Sequence, residues 1–374
     1  MYTQHIAVRT GCGTMTAPET AGNKWKAFAQ TIKRAASLLA ATALVCLTAA
    51  TTAQAETFTV LQWNIWQEGT SVKGGYDAIV DEIVRLKPDF VTLSEVRNYH
   101  GTNFAQRITQ SLRERGETYY SFYSYDSGLL SRYPITDSTT VFPIANDHGS
   151  IHRLRCEARG HKFAVYTAHL DYLNDAYYDV RGYDGSTWKP IPTPPSVEEV
   201  LRRSDLSQRD DAIRHFIAQA EQDAAEGYTI VLGGDFNEPS HLDWTAATRY
   251  MYDHRGFVIP WTVTTLLAEA GYTDAYRAVH PDPLTHPGFT FPADNPDVPV
   301  SRLTWAPDGD ERDRIDYLFV KGDGVSVIDC RVFGPSGSIV YSQRRENPTN
   351  EAFIKPLGVW PTDHKGVWMK IEVK

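Results

Sequence analysis

Four apolar runs in this 374-residue chain end in the same way. Leu61-Gln62-Trp63 leads into Asn64, and Val91-Thr92-Leu93-Ser94 leads into Glu95. Val165-Tyr166-Thr167-Ala168 leads into His169, and Val231-Leu232-Gly233-Gly234 leads into Asp235. Each run has the length and apolar content of a buried strand. Each delivers, at its C-terminal end, one side chain able to hold a metal ion or move a proton. Neighbouring strands bring such ends to one rim, which is where ligand sites form in layered sheets. Taken singly, each residue has a plainer use. Asn64 closes a turn, Glu95 caps the next segment, His169 is a satisfied core histidine, and Asp235-Phe236-Asn237 is an Asx turn. Asp363-His364 is, on the same view, a surface pair. That view has to hold independently at every position.

Between these runs the hydrophobic period changes. Tyr76, Ile79, Val80, Ile83 and Leu86 follow helical spacing, and Pro88 ends that helix. Phe104, Ile108 and Leu112 mark a second helix, and residues 205–226 a third. Strands are predicted over 58–63, 90–93, 163–167, 229–232, 315–320, 325–332 and 367–373, with a pair over 119–123 and 128–131. The pattern predicts an α/β fold: two mixed sheets packed face to face, with helices outside. Residues 172–203 and 281–312 carry little regular pattern, and loops this long often form lids or binding walls.

The N-terminal stretch reads as targeting rather than fold. Lys24, Lys26, Lys33 and Arg34 precede an apolar Ala/Leu-rich stretch, and Ala53-Gln54-Ala55 fits a small-x-small exit. These are the marks of a secretory signal peptide over 1–55, cleaved near Ala55, and Met15 is an alternative start. An exported protein with one large domain, 56–374, is expected. The formal charge is −9, and the first 55 residues carry five basic side chains and one acidic, so the remainder carries −13. An acidic protein gains nothing from the counterion release that drives binding to nucleic-acid backbone. Cys156 and Cys330 remain after export, either as a disulfide or as two buried thiols.

The ordered set of short motifs resembles the endonuclease/exonuclease/phosphatase superfamily. The stretches that carry the resemblance are Gln62-Trp63-Asn64-Ile65-Trp66, Leu93-Ser94-Glu95-Val96, Leu130-Ser131-Arg132-Tyr133-Pro134-Ile135 and Thr167-Ala168-His169-Leu170. Gly234-Asp235-Phe236-Asn237, Arg314-Ile315-Asp316-Tyr317-Leu318-Phe319 and Thr362-Asp363-His364 follow. The resemblance implies a four-layered α/β sandwich and a metal-dependent phosphoesterase. It implies Glu95 as the main ligand of a hard cation, with Asn64 and Asp363 nearby. Oxygen donors suit Mg²⁺, with Mn²⁺ or Ca²⁺ as substitutes, and the absence of a Cys/His cluster argues against zinc. It implies Asp235 as the group that activates the attacking water and Asn237 as a donor to a phosphoryl oxygen. His169 and His364 would hold the remaining oxygens, and Asp316 would orient His364.

Substrate choice belongs to the segments outside this pattern. Arg181 carries a fork suited to phosphate or carboxylate. Tyr183 and Trp188 offer stacking faces, with loop packing as the plainer use. His241 either reaches the phosphate or caps a helix. The expected partner of this monomer is a small or lipid-derived phosphoester. A secreted nuclease is the alternative, although acidity disfavours nucleic acid, and a non-catalytic binding module ranks last. A membrane surface enters only through a lipid substrate. Phe257-Val258-Ile259-Pro260-Trp261 is the segment that such a surface would meet, unless it is core.

Overall fold

Strand β1 (Glu56–Asn64) is buried along its second half and pairs in parallel with β2 (Phe90–Val96). β2 pairs in antiparallel with β3 (Asp126–Ser131). On its other edge β1 pairs with β13 (Gly366–Val373), which pairs with β10 (Val325–Phe333). A second sheet runs in the order β4 (Ile135–Phe142), β5 (Gly149–Ala158), β6 (His161–Leu170), β7 (Thr229–Asp235), β9 (Asp316–Lys321), β8 (Thr273–Asp274). Within it β6 and β7 are parallel and the other pairs antiparallel. A small hairpin, β11 (Gly337–Val340) with β12 (Gln343–Glu346), stands apart. This computed structural model describes residues 55–374 except 144–148 and 348, together with residues 11, 13 and 14.

Helices α1 (Gly75–Leu86) and α2 (Phe104–Glu114) cover the outer face of the first sheet. Ile79, Ile83, Ile108 and Leu112 pack there on Leu61, Trp63, Val91 and Leu93. Helices α5 (Arg209–Ala225) and α6 (Thr262–Glu269) cover the second, where Ile213, Phe216, Val263 and Leu267 pack on Ala164, Tyr166, Ile230 and Leu232. The architecture is the four-layered α/β sandwich expected. Full burial of each such side chain contributes about 1.5–3 kcal/mol.

The interior between the sheets changes character along the strands. Far from the rim it is apolar: Phe58, Val60, Phe90, Phe163, Val231 and Met369 meet there. Towards the rim it is a seam of hydroxyls and amides. Thr92 Oγ1 donates to Gln62 Oε1 (2.7 Å), and Gln62 Nε2 donates to Asp316 Oδ1 (3.3 Å). Thr167 Oγ1 donates to Leu93 O (3.1 Å), Ser94 Oγ to Ala168 O (3.0 Å), and Asp235 N to Ser94 Oγ (3.2 Å). The sheets approach so closely that a Cβ at Gly233 would lie 2.3 Å from Thr92 Oγ1, which only glycine avoids.

Several local expectations are corrected. Residues 172–203 hold two helices, α3 (Ala176–Arg181) and α4 (Val197–Ser204). The helix expected over 205–226 begins only at Arg209, because Asp171 Oδ2 accepts from Gln208 N (3.0 Å) and holds the preceding turn. The strand expected over 119–123 reduces to one bridge, Tyr120 to Ser131. Ile259 and Trp261 are buried core, while Val258, between Phe257 and Ile259, stays 42% exposed. Cys156 and Cys330 are free, buried thiols, and burial pushes Cys156 up to about 12.

The chain divides into two units, Met1–Gln54 and Ala55–Lys374. Apart from residues 11, 13, 14 and 55, the expected signal peptide lies outside the described residues. Among the described residues no helix is long and apolar enough to cross a membrane.

Candidate active site

The C-terminal ends of β1, β2, β6 and β7 reach one rim. Asn64 stands in register with Ser94, beside Glu95, and His169 in register with Asp235. β9 runs antiparallel to β7, so its first residue, Asp316, pairs with Asp235. Asp363 and His364 arrive on the turn before β13. Asn295 Nδ2 pins that turn by donating to Trp360 O (2.8 Å) and Thr362 O (3.1 Å).

Glu95 reaches the site through a bulge. The β2–β3 pairing steps from Ser94–Ser127 to Val96–Asp126, and Glu95 takes φ 67°. A bulge re-aims a side chain, and left-handed backbone at a non-glycine residue is strain that clusters at functional sites. Asp126 (φ 67°) and Asn237 (φ 48°) share it. Asn237 N donates to Asp235 Oδ1 (3.0 Å), and its amide spends one N–H on Leu170 O (3.0 Å).

Asp235 lies between two histidines. His364 Nε2 is 3.7 Å and His169 Nε2 3.9 Å from Asp235 Oδ2. Asn64 Nδ2 donates to the same oxygen (2.9 Å) and to Glu95 Oε1 (3.1 Å). The far nitrogen of each imidazole is held by a carboxylate: His364 Nδ1 donates to Asp316 Oδ2 (2.9 Å), and His169 Nδ1 to Asp126 Oδ1 (2.9 Å). Burial alone pushes both imidazoles towards neutrality. The surrounding carboxylates outweigh it, raising His169 to about 9 and His364 to about 10. Both rings are therefore imidazolium at neutral pH, aimed at one place. Burial and Asp316 raise the Asp235 carboxyl, against the pull of the two histidines.

Asp126 is the residue that sequence reasoning missed. It anchors His169 as Asp316 anchors His364, and it also takes Arg97 Nη1 (2.6 Å) and Ser150 Oγ (3.2 Å). Burial works against its charge, yet His169 and Arg97 hold it below the usual carboxylate range. The signal was its place at the start of a strand antiparallel to β2, since that end reaches the rim. For Asp126→Asn, the charge that keeps His169 protonated is gone. The alkaline limb of the pH–rate profile is then expected to move down by about one to two pH units. A limb that stays put removes His169 protonation from the mechanism.

The carboxylates of Glu95 and Asp363 fit a hard cation, whereas Asn64 turns its Nδ2 to Glu95 and its Oδ1 to Trp66 N (2.9 Å), so it positions rather than ligates. Burial, and then the neighbouring Glu95 charge, push the Asp363 carboxyl up to about 7 against the opposing pull of His364. Two crowded carboxylates of this kind are what a divalent cation relieves, and both offer oxygens. Asp235, Asp316 and His364 also offer ligand atoms within 4.8 Å of one another. That group already contains its own positive charge and an Asp316–His364 hydrogen bond, so it is the poorer cation site.

The site opens into a cleft of about 570 Å³ lined by Glu95, His169, Asp235, Asn237, Asp363 and His364, with an aromatic outer wall. Arg181, Tyr183 and His241 are not on it. Arg181 is buried, 2.7 Å from Asp313 Oδ2, with Nε donating to Asp310 O (2.7 Å), so its fork is filled by protein. The Tyr183 hydroxyl donates to Asp308 (3.3 Å), and His241 Nδ1 contacts Thr264 Oγ1 (2.8 Å). Asp171 opens the loop after β6 by accepting from Leu173 N (3.0 Å).

The profile of the Endonuclease/Exonuclease/phosphatase family matches residues 61–364. The chain belongs to the endonuclease/exonuclease/phosphatase family. Members of this family are hydrolases acting on phosphoesters. A Caenorhabditis elegans protein, F14F9.5, is 25% identical over 316 residues, covering 83% of this chain and 89% of that protein. Similar solved structures within the family's fold include a humanised D. rerio TDP2 with 14 mutations (TM-score 0.49, 14% identity). That match covers 84% of this chain and 98% of the other. The human Nocturnin catalytic domain with a bound sulfate anion is a second (TM-score 0.47, 14% identity), over 85% of this chain and 96% of the other.

Proposed function

We propose that this chain is an exported, divalent-cation-dependent phosphoesterase that hydrolyses a small or lipid-derived phosphoester by in-line attack of water. The observation that carries the reading is the Asp235 carboxylate set between two Asp-anchored imidazoles, beside the Glu95/Asp363 pair. Glu95 and Asp363 would hold the cation, with Asn64 beside them, Mg²⁺ by the hardness of its donors, and it would supply positive charge against the phosphoryl oxygens. Asp235 takes a proton from water as the new O–P bond forms. The Nε2 protons of His169 and His364 and the amide of Asn237 hold phosphoryl oxygens as charge redistributes, and the bond to the leaving oxygen breaks. Asp316 and Asp126 keep each ring turned so that Nε2 faces the cleft. Asn64 links the cation ligand to the base, fixing the distance between charge and nucleophile.

The aromatic outer wall favours one second reading, hydrolysis of single-stranded nucleic acid by base stacking. The acidity of the mature chain weighs against it. The test is hydrolysis of chromogenic mono- and diesters, phospholipids and plasmid DNA by the protein from Glu56 onward. Chelator is expected to abolish turnover, and millimolar Mg²⁺ to restore it. Turnover untouched by chelator overturns the cation dependence, and cleavage of DNA alone replaces the proposed substrate. Export is tested by N-terminal sequencing of the secreted form, with a start near Glu56 expected.

A further inference from the structure

The outer half of the cleft is built by the two long segments that lie outside the strand-end pattern. Trp188 and Trp305 meet there with ring centroids 5.1 Å apart and an interplanar angle of 35°. Trp188 also stands edge-on against Tyr178 at 5.0 Å. Trp305 is 49% exposed, so the platform has an open face. It is held in place at some cost. Trp188 takes φ 58°, a left-handed backbone that a bulky aromatic rarely adopts. Asp184 Oδ1 accepts from Ser186 N (3.1 Å) and Thr187 N (2.7 Å) to impose it. Buried Glu311 accepts from Tyr178 OH (3.0 Å), Trp305 N (3.0 Å) and Ala306 N (3.1 Å), locking one loop to the other.

The same wall contains one acid, Asp175. Arg209 Nη1 holds its Oδ1 (2.8 Å) and also gathers Asp171 O (2.8 Å) and Leu173 O (2.9 Å), so the carboxyl cannot swing away. Gly185 closes over it so tightly that a Cβ there would lie 2.3 Å from Asp175 O.

We propose that this wall is a leaving-group subsite for a neutral, hydroxyl-bearing ring, with Trp188 and Trp305 as the stacking face and Asp175 as the group that binds hydroxyls. The proposal rests on the phosphoesterase reading above. Flat indole faces take the C–H face of a saturated ring or the π-face of a planar one. A fixed carboxyl takes ring hydroxyls. Arg209 already occupies Asp175, and burial drives its carboxyl towards the neutral form, so a cationic head group gains little there. Trp188, Trp305 and Asp175 themselves offer no positive charge to a second phosphate. A plain alkyl group offers no hydroxyl to the Asp175 oxygen that Arg209 does not hold.

The experiment follows hydrolysis by ³¹P NMR with the full chain and Mg²⁺. The substrates are monoesters and methyl diesters of butanol, glucose, inositol and adenosine. The wild type is expected to prefer ring esters over the butyl ester in kcat/KM. That preference is expected to fall roughly 10-fold in Trp305→Ala and in Asp175→Asn, mainly through KM. Free glucose, inositol and adenosine are titrated against indole fluorescence as a readout independent of turnover, with saturable quenching expected and lost in Trp305→Ala. Preference among the three distinguishes a carbohydrate from a nucleoside source. A ring preference absent from the wild type, or intact in both variants, overturns the subsite. Inert esters with saturable quenching overturn the phosphoesterase reading and leave the subsite standing. Inert esters without quenching overturn both. Should Asp175→Asn fail to fold, the half-exposed Trp305 carries the test alone.

Discussion

The Asp235→Asn variant is expected to fold normally and lose about 10²- to 10⁴-fold in kcat, the range of a positioned general base. Both cleft-facing Nε2 atoms approach the Asp235 carboxylate, at 3.7 and 3.9 Å, and Asn64 fixes its Oδ2. The amide keeps the shape and the contact from Asn237 N to the remaining oxygen, but it cannot take the proton of water. KM is expected to change little, because the Glu95/Asp363 ligand pair and the aromatic wall are untouched. Pre-steady-state measurement of kcat on a diester chromogen, with circular dichroism as the folding check, reads the effect. A variant within 10-fold of the wild type would place the base elsewhere.

A second large effect is expected in stability. Arg314 is buried behind the first residue of β9. Its Nε lies 2.9 Å from Asp243 Oδ2 and its Nη1 2.8 Å from Asp274 Oδ2, while Arg277 holds the other Asp243 oxygen at 2.7 Å. Removing one member of a buried ionic cluster strands the charges that remain, at about 3–5 kcal/mol. Arg314→Met is therefore expected to lower Tm by about 4–7 °C for a domain of this size. The exposed Arg202–Glu199 pair is the control, and Arg202→Met is expected to leave the melting curve in place. Equal effects of the two substitutions would deny the Arg314 cluster its structural role. Because Arg314 stands two residues before Asp316, the cluster also explains why an arginine stands in that motif.

What was legible in the sequence follows from the geometry of strands. Asn64, Glu95, His169 and Asp235 close apolar runs, and parallel pairing of β1 with β2 and of β6 with β7 puts those ends on one rim. The rim residues on antiparallel strands come first in their strands, not last. Asp316 was therefore found through its motif, and Asp126 was not found at all. Its neighbours, Tyr125 and Ser127, give no hint of a histidine 43 residues away. Arg181 shows the reverse failure. Its fork is suited to an anion, but the sequence does not reveal that Asp313 supplies one from inside the protein. Short helices such as α3 escaped because six residues hold too few turns for a period to show.

The hydroxyl and amide seam between the sheets has a consequence for how the protein fails under stress. Asn64, Glu95 and Asp363 belong to one sheet with its flanking turn, and His169, Asp235 and Asp316 to the other. Thr92, Gln62, Ser94 and Thr167 clamp the two sheets together directly beneath the reacting atoms. Reaction competence and global folding should therefore vanish together in rising urea, as one cooperative event. The aromatic wall rests on loops outside that clamp and should loosen earlier. In mild denaturant the protein would still turn over phosphoesters while choosing among them less well.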